Sequence, residues 1–307
     1  LGASYFGIED PRLVAVASTG VIGEFLPLDK IEKGLLQLRE LLPQKKSGAE
    51  TARAIMTTDT FPKEKAVEFF WKGKTIHLAG IAKGSGMIRP RLATMLSFLI
   101  TDAAVAKEDL QNLLREVVAA SFNRVTVDGD TSTNDMVLLL ANGRSGAPLL
   151  RKGDDGFEAF REALFFIAQE LARDLARDGE GATKFVEIVV EGARNEKEAE
   201  QCAFTVAESP LVKTAFFGED PNWGRIMAAL GRSGVNVEPE RIDIAINGVQ
   251  FVERGMKVST LERQVLREAM KPKELRVVID LHLGRARFNV WTCDFSFDYV
   301  KINSHYS

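Results

Sequence analysis

Apolar residues in this chain recur with two periods, a strand period of two and a helix period near 3.6, and the two alternate irregularly along its 307 residues. That alternation constrains the fold more than any other feature. Leu13–Ala17 reads as a strand, and Lys30–Leu42 as a helix with Ile31, Leu35, Leu38 and Leu42 on one face. Ala66–Trp71 and Thr75–Ala82 read as a hairpin turning at Lys72-Gly73-Lys74. Glycines and Pro90 break regular structure over Lys83–Arg91, ahead of the apolar run Met95–Ile100. A helix is expected over Asp109–Ser121, and the wholly apolar Met136–Ala141 reads as a strand buried on both faces. Gly156–Arg177 has the pattern of a long amphipathic helix, closed at Asp178-Gly179 by a left-handed glycine.

Further strands are expected near Lys184–Glu191, Ile242–Ile246 and Leu275–Leu283, with Asn247-Gly248 as a hairpin turn. Ser259-x-x-Glu262 resembles a capping box opening another helix. The fold class that follows is α/β, with mixed sheets layered with helices rather than one purely parallel sheet. A division into residues 1–178 and a smaller C-terminal α/β domain, 179–307, falls at the end of the long helix.

Composition narrows the chemistry. Forty Lys and Arg against forty-three Asp and Glu give a net charge of −3, which offers no field to draw nucleic acid or an anionic membrane surface. Apolar runs are far shorter than the roughly 20 residues that span a bilayer. Residues 1–27 lack the charged and apolar regions of a secretory signal, so a cytoplasmic location is the default. Cys202 and Cys293, in no CxxC arrangement, read as buried thiols, and no metal-ligand spacing occurs. His77, His282 and His305 are the only histidines and stand far apart, so the expected catalytic base is something other than imidazole.

Several segments could carry chemistry. Thr94 follows the glycine-rich Lys83-Gly84-Ser85-Gly86 and stands where the apolar run begins. On pattern alone it reads first as a β-branched residue entering a buried strand. A threonine at a chain N-terminus carries its own base, an α-amine that titrates near pH 8. Attack by the Thr94 hydroxyl on the Ala93 carbonyl, an N-to-O acyl shift, would expose that amine. Ser18-Thr19-Gly20 could aim backbone N–H groups and a hydroxyl at an oxyanion, or form an ordinary strand-to-loop turn. Asp128–Asp135 has the composition of a cation loop but lacks the glutamate at the twelfth position, so a solvated or internally hydrogen-bonded turn fits better. Glu180, between two glycines, could face a cationic ligand group or sit in a tight turn. Asp220–Arg225 starts a helix, its polar side chains open to capping or ligand binding.

Together and in this order, Ser18–Gly23, Met56–Thr60, Lys83–Leu96, Asp128–Asp135, Gly179–Lys184, Pro221–Ile226 and Asp298–Asn303 resemble the ornithine acetyltransferase family, also called glutamate N-acetyltransferases. The resemblance covers nearly the whole chain. It implies a fold of the DmpA and ornithine acetyltransferase type and a precursor that cuts itself between Ala93 and Thr94. The resulting α and β chains stay together, assembled as a heterotetramer. Thr94 then takes acetyl from N-acetylornithine and passes it to glutamate, an acyltransferase step of arginine biosynthesis. Acetyl-CoA is a further substrate if the enzyme is bifunctional, and no cofactor or metal is implied. Thr19 and Gly20 correspond to the oxyanion hole, and Thr60, Lys83, Thr94, Glu180 and Asn303 to substrate-binding positions. Lys83 suits the substrate α-carboxylate and Glu180 a positively charged amine.

The family pattern also carries a longer stretch ahead of Ser18–Gly23, so the α portion reads as truncated, and the chain stops one residue short of the family ending. Two other readings use the same residues. One is a self-processing threonine amidohydrolase with water as acceptor, the other a non-catalytic, truncated family member. A nucleotide-binding role fits least, because Gly84-Ser85-Gly86 lacks both Walker and full GxGxxG spacing.

Overall fold

Lys72 and Gly73 both take left-handed backbone angles, φ 44° and 82°. Two such residues in a row are what a tight hairpin turn needs to match the twist of its strands. β1 (Lys63–Trp71) and β2 (Lys74–Lys83) accordingly pair antiparallel, Trp71 opposite Lys74. The computed structural model describes residues 1–42, 48–89, 95–260 and 262–305. β3 (Leu96–Thr101) adds antiparallel to β2, and β4 (Met136–Ala141) adds parallel to β3 at the sheet's edge. That parallel step needs a crossover, which contains α4 (Lys107–Ala119).

The long amphipathic helix forms as expected, over Asp155–Arg177 (α5), and packs against β1 and β2. Gly80 permits the close approach. A Cβ there would lie 2.5 Å from Leu99 and 3.0 Å from both Ile167 and Leu171. The opposite face of the sheet is open, leaving Phe70, Ile100 and Leu140 in solvent. β4 therefore corrects the expectation of a strand buried on both faces. Only its Leu139 is buried, because an apolar run records affinity for a covered face without recording whether both faces are covered.

The second sheet has the order β10-β5-β9-β6-β7-β8. Its strands are β5 (Phe185–Ala193), β6 (Asp243–Ile246), β7 (Val249–Glu253), β8 (Met256–Lys257), β9 (Glu274–Asp280) and β10 (Ala286–Cys293). β5 and β9 run parallel and the other neighbours antiparallel, so both sheets belong to mixed α/β architecture. Asn247 and Gly248 make the expected β6–β7 turn, with φ 48° and 80°. α6 (Glu196–Ala207), α7 (Pro210–Phe217), α8 (Trp223–Gly231) and α9 (Arg263–Met270) contribute apolar residues to this sheet's core. Phe185, Trp291 and Cys293, at the paired ends of β5 and β10, belong instead to the first core and fasten the sheets together. α10 (Phe297–Ser304) follows. Cys202 and Cys293 are buried free thiols.

Three further local expectations are corrected. Leu13–Ala17 forms no strand. A single 3-10 turn, Pro11–Leu13, is capped by Asp10, and the extended residues beyond it have no paired strand among the described residues. α1 (Gly2–Tyr5) and α2 (Leu28–Leu41), like α3 (Gly48–Ala54), form locally, and none of the residues of α1 or α2 is buried. Gly179 is not the left-handed residue after α5. Gly181 is, at φ 67°, whereas Gly179 is small because a Cβ would come 2.6 Å from the Cys293 sulfur. The Ser259 capping box does not form either, since α9 begins at Arg263 with Glu262 as its N-cap and no side-chain cap bond. No helix among the described residues is long and apolar enough to cross a membrane.

Candidate active site

Strand direction gathers the first group of site residues. β2 runs into the turn opposite the start of β3, and β3 and β4 start side by side. Lys83 is thereby paired with Leu96, and Leu96 with Met136. Residues just before Leu96 and just before Met136 therefore meet beside Lys83. The Met95 N–H donates to Asp135 Oδ1 at 2.7 Å, and the Met136 N–H to the Met95 carbonyl at 3.0 Å. Thr94 and Ala93, the expected nucleophile and cleavage site, lie outside the described residues.

Asn134 precedes Asp135 and donates through Nδ2 to the Ser18 carbonyl and, at 3.3 Å, to the Thr19 hydroxyl. Thr19 is thus drawn to the same loop, with Gly20 exposed beside it. Asp128 accepts from the N–H groups of Met87 at 2.6 Å, Ile88 at 3.0 Å and Asp130 at 3.3 Å. Internal bonds in the 128–135 loop run from Asp130 to Asp128 and from Ser132 to Asn134, and Asp128 also ties the loop to Met87 and Ile88. Among the described residues no cluster of three or more His, Cys, Asp or Glu could hold a metal.

A second group is built on buried charge. Lys63, wholly buried, donates to Asp59 at 2.6 Å and to Asp178. Asp178 also accepts the Thr60 N–H at 3.0 Å and the Thr60 hydroxyl. Asp59 accepts the N–H groups of Gly84 at 2.7 Å and Thr57 at 3.1 Å. Burial would raise the Asp59 carboxyl, but Lys63 and these N–H donors hold it below the ordinary range. This trio fixes Thr60 and the end of β2 together. Lys83 itself is 1% exposed, and its closest polar contact is the Thr57 hydroxyl at 3.4 Å. It makes no ion pair among the described residues. Burial pulls its ammonium below the usual lysine range, against the pull of Asp59 and Asp135.

Glu180 joins the two groups. Its N–H donates to the Ser85 carbonyl at 2.8 Å, and its carboxylate accepts from Asn303 Nδ2 at 2.9 Å. Gly86 makes room, since a Cβ there would come within 2.4 Å of that carboxylate. Asp294 holds the loop by accepting from Thr183 N–H at 2.8 Å and Lys184 N–H at 2.9 Å, and the Ser296 hydroxyl donates to the Gly181 carbonyl at 2.5 Å. Beside it, Thr60, Gly181, Asp298, Lys301, Ile302 and His305 line a cleft of about 520 Å³. A roomier hollow of about 790 Å³ on the open face of the first sheet contains none of the expected site residues.

The fold thus brings Thr60, Lys83, Glu180 and Asn303 into one connected network and Thr19 to the neighbouring loop. A match to the ArgJ family model runs over residues 2–307, all but one residue of the chain. The chain belongs to the ArgJ family. It is 47% identical over 306 residues to the arginine biosynthesis bifunctional protein ArgJ of Symbiobacterium thermophilum, covering 100% of this chain and 75% of that protein. It is 45% identical over 316 residues to the glutamate N-acetyltransferase of Methanocaldococcus jannaschii, covering 100% of this chain and 77% of that one. A crystal structure of the ArgJ protein from Bacillus halodurans matches with a TM-score of 0.66 at 40% identity, covering 69% of this chain and 99% of that chain.

Sequence reasoning on this ArgJ-family chain missed Asp59, Lys63, Asp178 and Asp294. Asp178, one of the two partners of Lys63, stands 115 positions away, a separation that leaves no local pattern. Asp135 lay within a quoted motif without a role. Asn222 and Arg225 proved local: Asn222 Nδ2 donates to Asp220 at 3.1 Å, and Arg225 ties α8 to the Leu211 carbonyl at 2.7 Å.

Proposed function

We propose that the chain transfers acetyl from N2-acetyl-L-ornithine to L-glutamate through an acetyl ester on Thr94, as an acyltransferase of arginine biosynthesis. The observation that carries this reading is that a buried lysine, Lys83, and a buried glutamate, Glu180, belong to one network through the Ser85–Glu180 backbone bond without pairing with each other, in an ArgJ-family chain. An acylated diamino acid presents the complementary charges, a carboxylate for Lys83 and a side-chain ammonium for Glu180, with Asn303 and Thr60 beside them.

In the first half-reaction the Thr94 hydroxyl, activated by its own α-amine, attacks the acetyl carbonyl. The Thr19 hydroxyl and Gly20 N–H stabilise the tetrahedral oxyanion. Ornithine leaves with the proton. The amine of glutamate then attacks the ester, restoring the Thr94 hydroxyl.

The reading requires cleavage between Ala93 and Thr94. The two fragments remain joined as α and β chains, assembled into a heterotetramer, in the cytoplasm, and the division at 178/179 separates the two sheets. The word bifunctional in the relative's name favours acetyl-CoA as a second acetyl donor to glutamate.

The test supplies N2-acetyl-L-ornithine labelled in its acetyl group, with and without L-glutamate. Label on glutamate with ping-pong initial rates is the expected result. Free acetate as the sole labelled product would replace the transferase reading with the amidohydrolase one.

A further inference from the structure

Donor and acceptor of the proposed transfer carry side chains of opposite charge. Ornithine ends in an ammonium and glutamate in a carboxylate, while both have the α-carboxylate that suits Lys83. Glu180, buried and bonded to Asn303, attracts the first side chain and repels the second. Glutamate therefore gains from a second place for its side chain, one that offers a cation.

The cleft beside Glu180 has that character. Asp298, Lys301, Ile302 and His305 line it at spacings of three and four residues, so one face of α10 forms a wall. Asn303 bonds Glu180 from another face of the same helix. Thr60 and Gly181 complete the lining. Gly181 directly follows Glu180, and the start of α10 packs onto it: a Cβ there would lie 2.4 Å from the Tyr299 nitrogen and 2.8 Å from the Asp298 carbonyl carbon. Thr60 is tied to the same loop through Asp178. Glu180 and the cleft thus share one loop and one helix.

Among the lining residues Lys301 is the permanent cation. It is exposed, and its ammonium makes no hydrogen bond or ion pair among the described residues. Only its carbonyl is engaged, accepting from the Ser304 hydroxyl at 3.1 Å and from His305 Nδ1 at 3.0 Å. Asp298 carries the opposing charge one turn earlier, in the first turn of α10, where the helix N-terminus offsets a carboxylate.

Resting on the reading of the chain as a transferase from N2-acetyl-L-ornithine to L-glutamate, we infer that Lys301 recognises the side-chain carboxylate of the acceptor. It holds that group in the cleft, whereas the ammonium of ornithine turns to Glu180. The two substrates share one α-carboxylate position and part beyond it.

The test separates the two half-reactions. Transfer of labelled acetyl from N2-acetyl-L-ornithine to L-glutamate uses both side-chain places. Exchange of labelled L-ornithine into N2-acetyl-L-ornithine uses only the one at Glu180. Lys301→Met should raise KM for glutamate about 10-fold, the size of one lost charged contact at an exposed site. It should also bring that KM level with the KM for L-glutamine, the neutral analogue, and keep the wild-type rate of ornithine exchange. Lys301→Arg, which retains the charge, should recover most of the loss. An unchanged glutamate KM in Lys301→Met, or an equal fall in exchange and transfer, would overturn the assignment while leaving the transferase reading intact. Should Lys301→Met not fold, the wild-type acceptors decide, and equal KM values for glutamate and glutamine count against Lys301. A wild type that neither exchanges ornithine nor transfers acetyl removes the transferase reading, and this role with it.

Discussion

Both sheets have an apolar core, and they differ in the charge buried at the site end of the four-stranded one. The core around the six-stranded sheet is apolar, with Ile188, Val190, Ile244, Val277 and Ile279 at its centre. The four-stranded sheet, covered on one face by α5, ends in buried charge: Asp59, Lys63, Lys83 and, from the following loop, Asp178 and Glu180. Apolar burial is non-directional and serves stability, whereas buried charge costs free energy unless its partners are held in place. One region is a scaffold that repacking could tolerate. The other accepts an energetic cost to fix Thr60, Gly84 and Glu180 in register.

The largest expected effect follows from the charged region. Lys63→Met leaves Asp59 and Asp178 facing each other without a cation and should destabilise by about 3–5 kcal/mol, read by urea unfolding. A loss no larger than a surface substitution would break the contrast. Ile279→Ala in the apolar core should cost about 2–5 kcal/mol by the same assay, with KM for N-acetylornithine unchanged in the folded fraction. A raised KM there would show that the scaffold reaches the site.

Acid sharpens the comparison. Asp59 has its folded value held below its ordinary 3.8, so its contribution to stability is complete above that value and is lost as pH falls through the folded one. Unfolding free energy measured against pH should decline on the acid side of 3.8. The loss caused by Ile279→Ala should be the same at every pH, since no proton is involved. A flat wild-type profile would contradict the role given to Asp59. The smallest effect belongs to the exposed pair Arg12–Asp10, where Arg12→Ala should leave the unfolding midpoint in place.

The same contrast explains what the sequence could disclose. Period and turn chemistry placed the β1–β2 hairpin, α5, β4 and the Asn247-Gly248 turn, because each is a local consequence of residues a few positions apart. Leu13–Ala17 misled for the complementary reason. Its apolar content suited a strand, but a strand needs a neighbour to accept its backbone hydrogen bonds. Within the site, the glycine-rich loop and Glu180 stood out by type, yet their convergence depends on Glu180 N–H reaching Ser85 and on Asp178 reaching Thr60, contacts across about a hundred positions. The Lys63–Asp178 pair and Asp294 gave no local signal.

The central claim is that Thr94 becomes a chain terminus, and intact mass with N-terminal sequencing of wild type beside Thr94→Ala tests it without any substrate. The account predicts two wild-type fragments, residues 1–93 and 94–307, the second beginning at Thr94, and one whole chain in the variant. A wild type that remains a single uncut chain, or fragments that persist in Thr94→Ala, would contradict it.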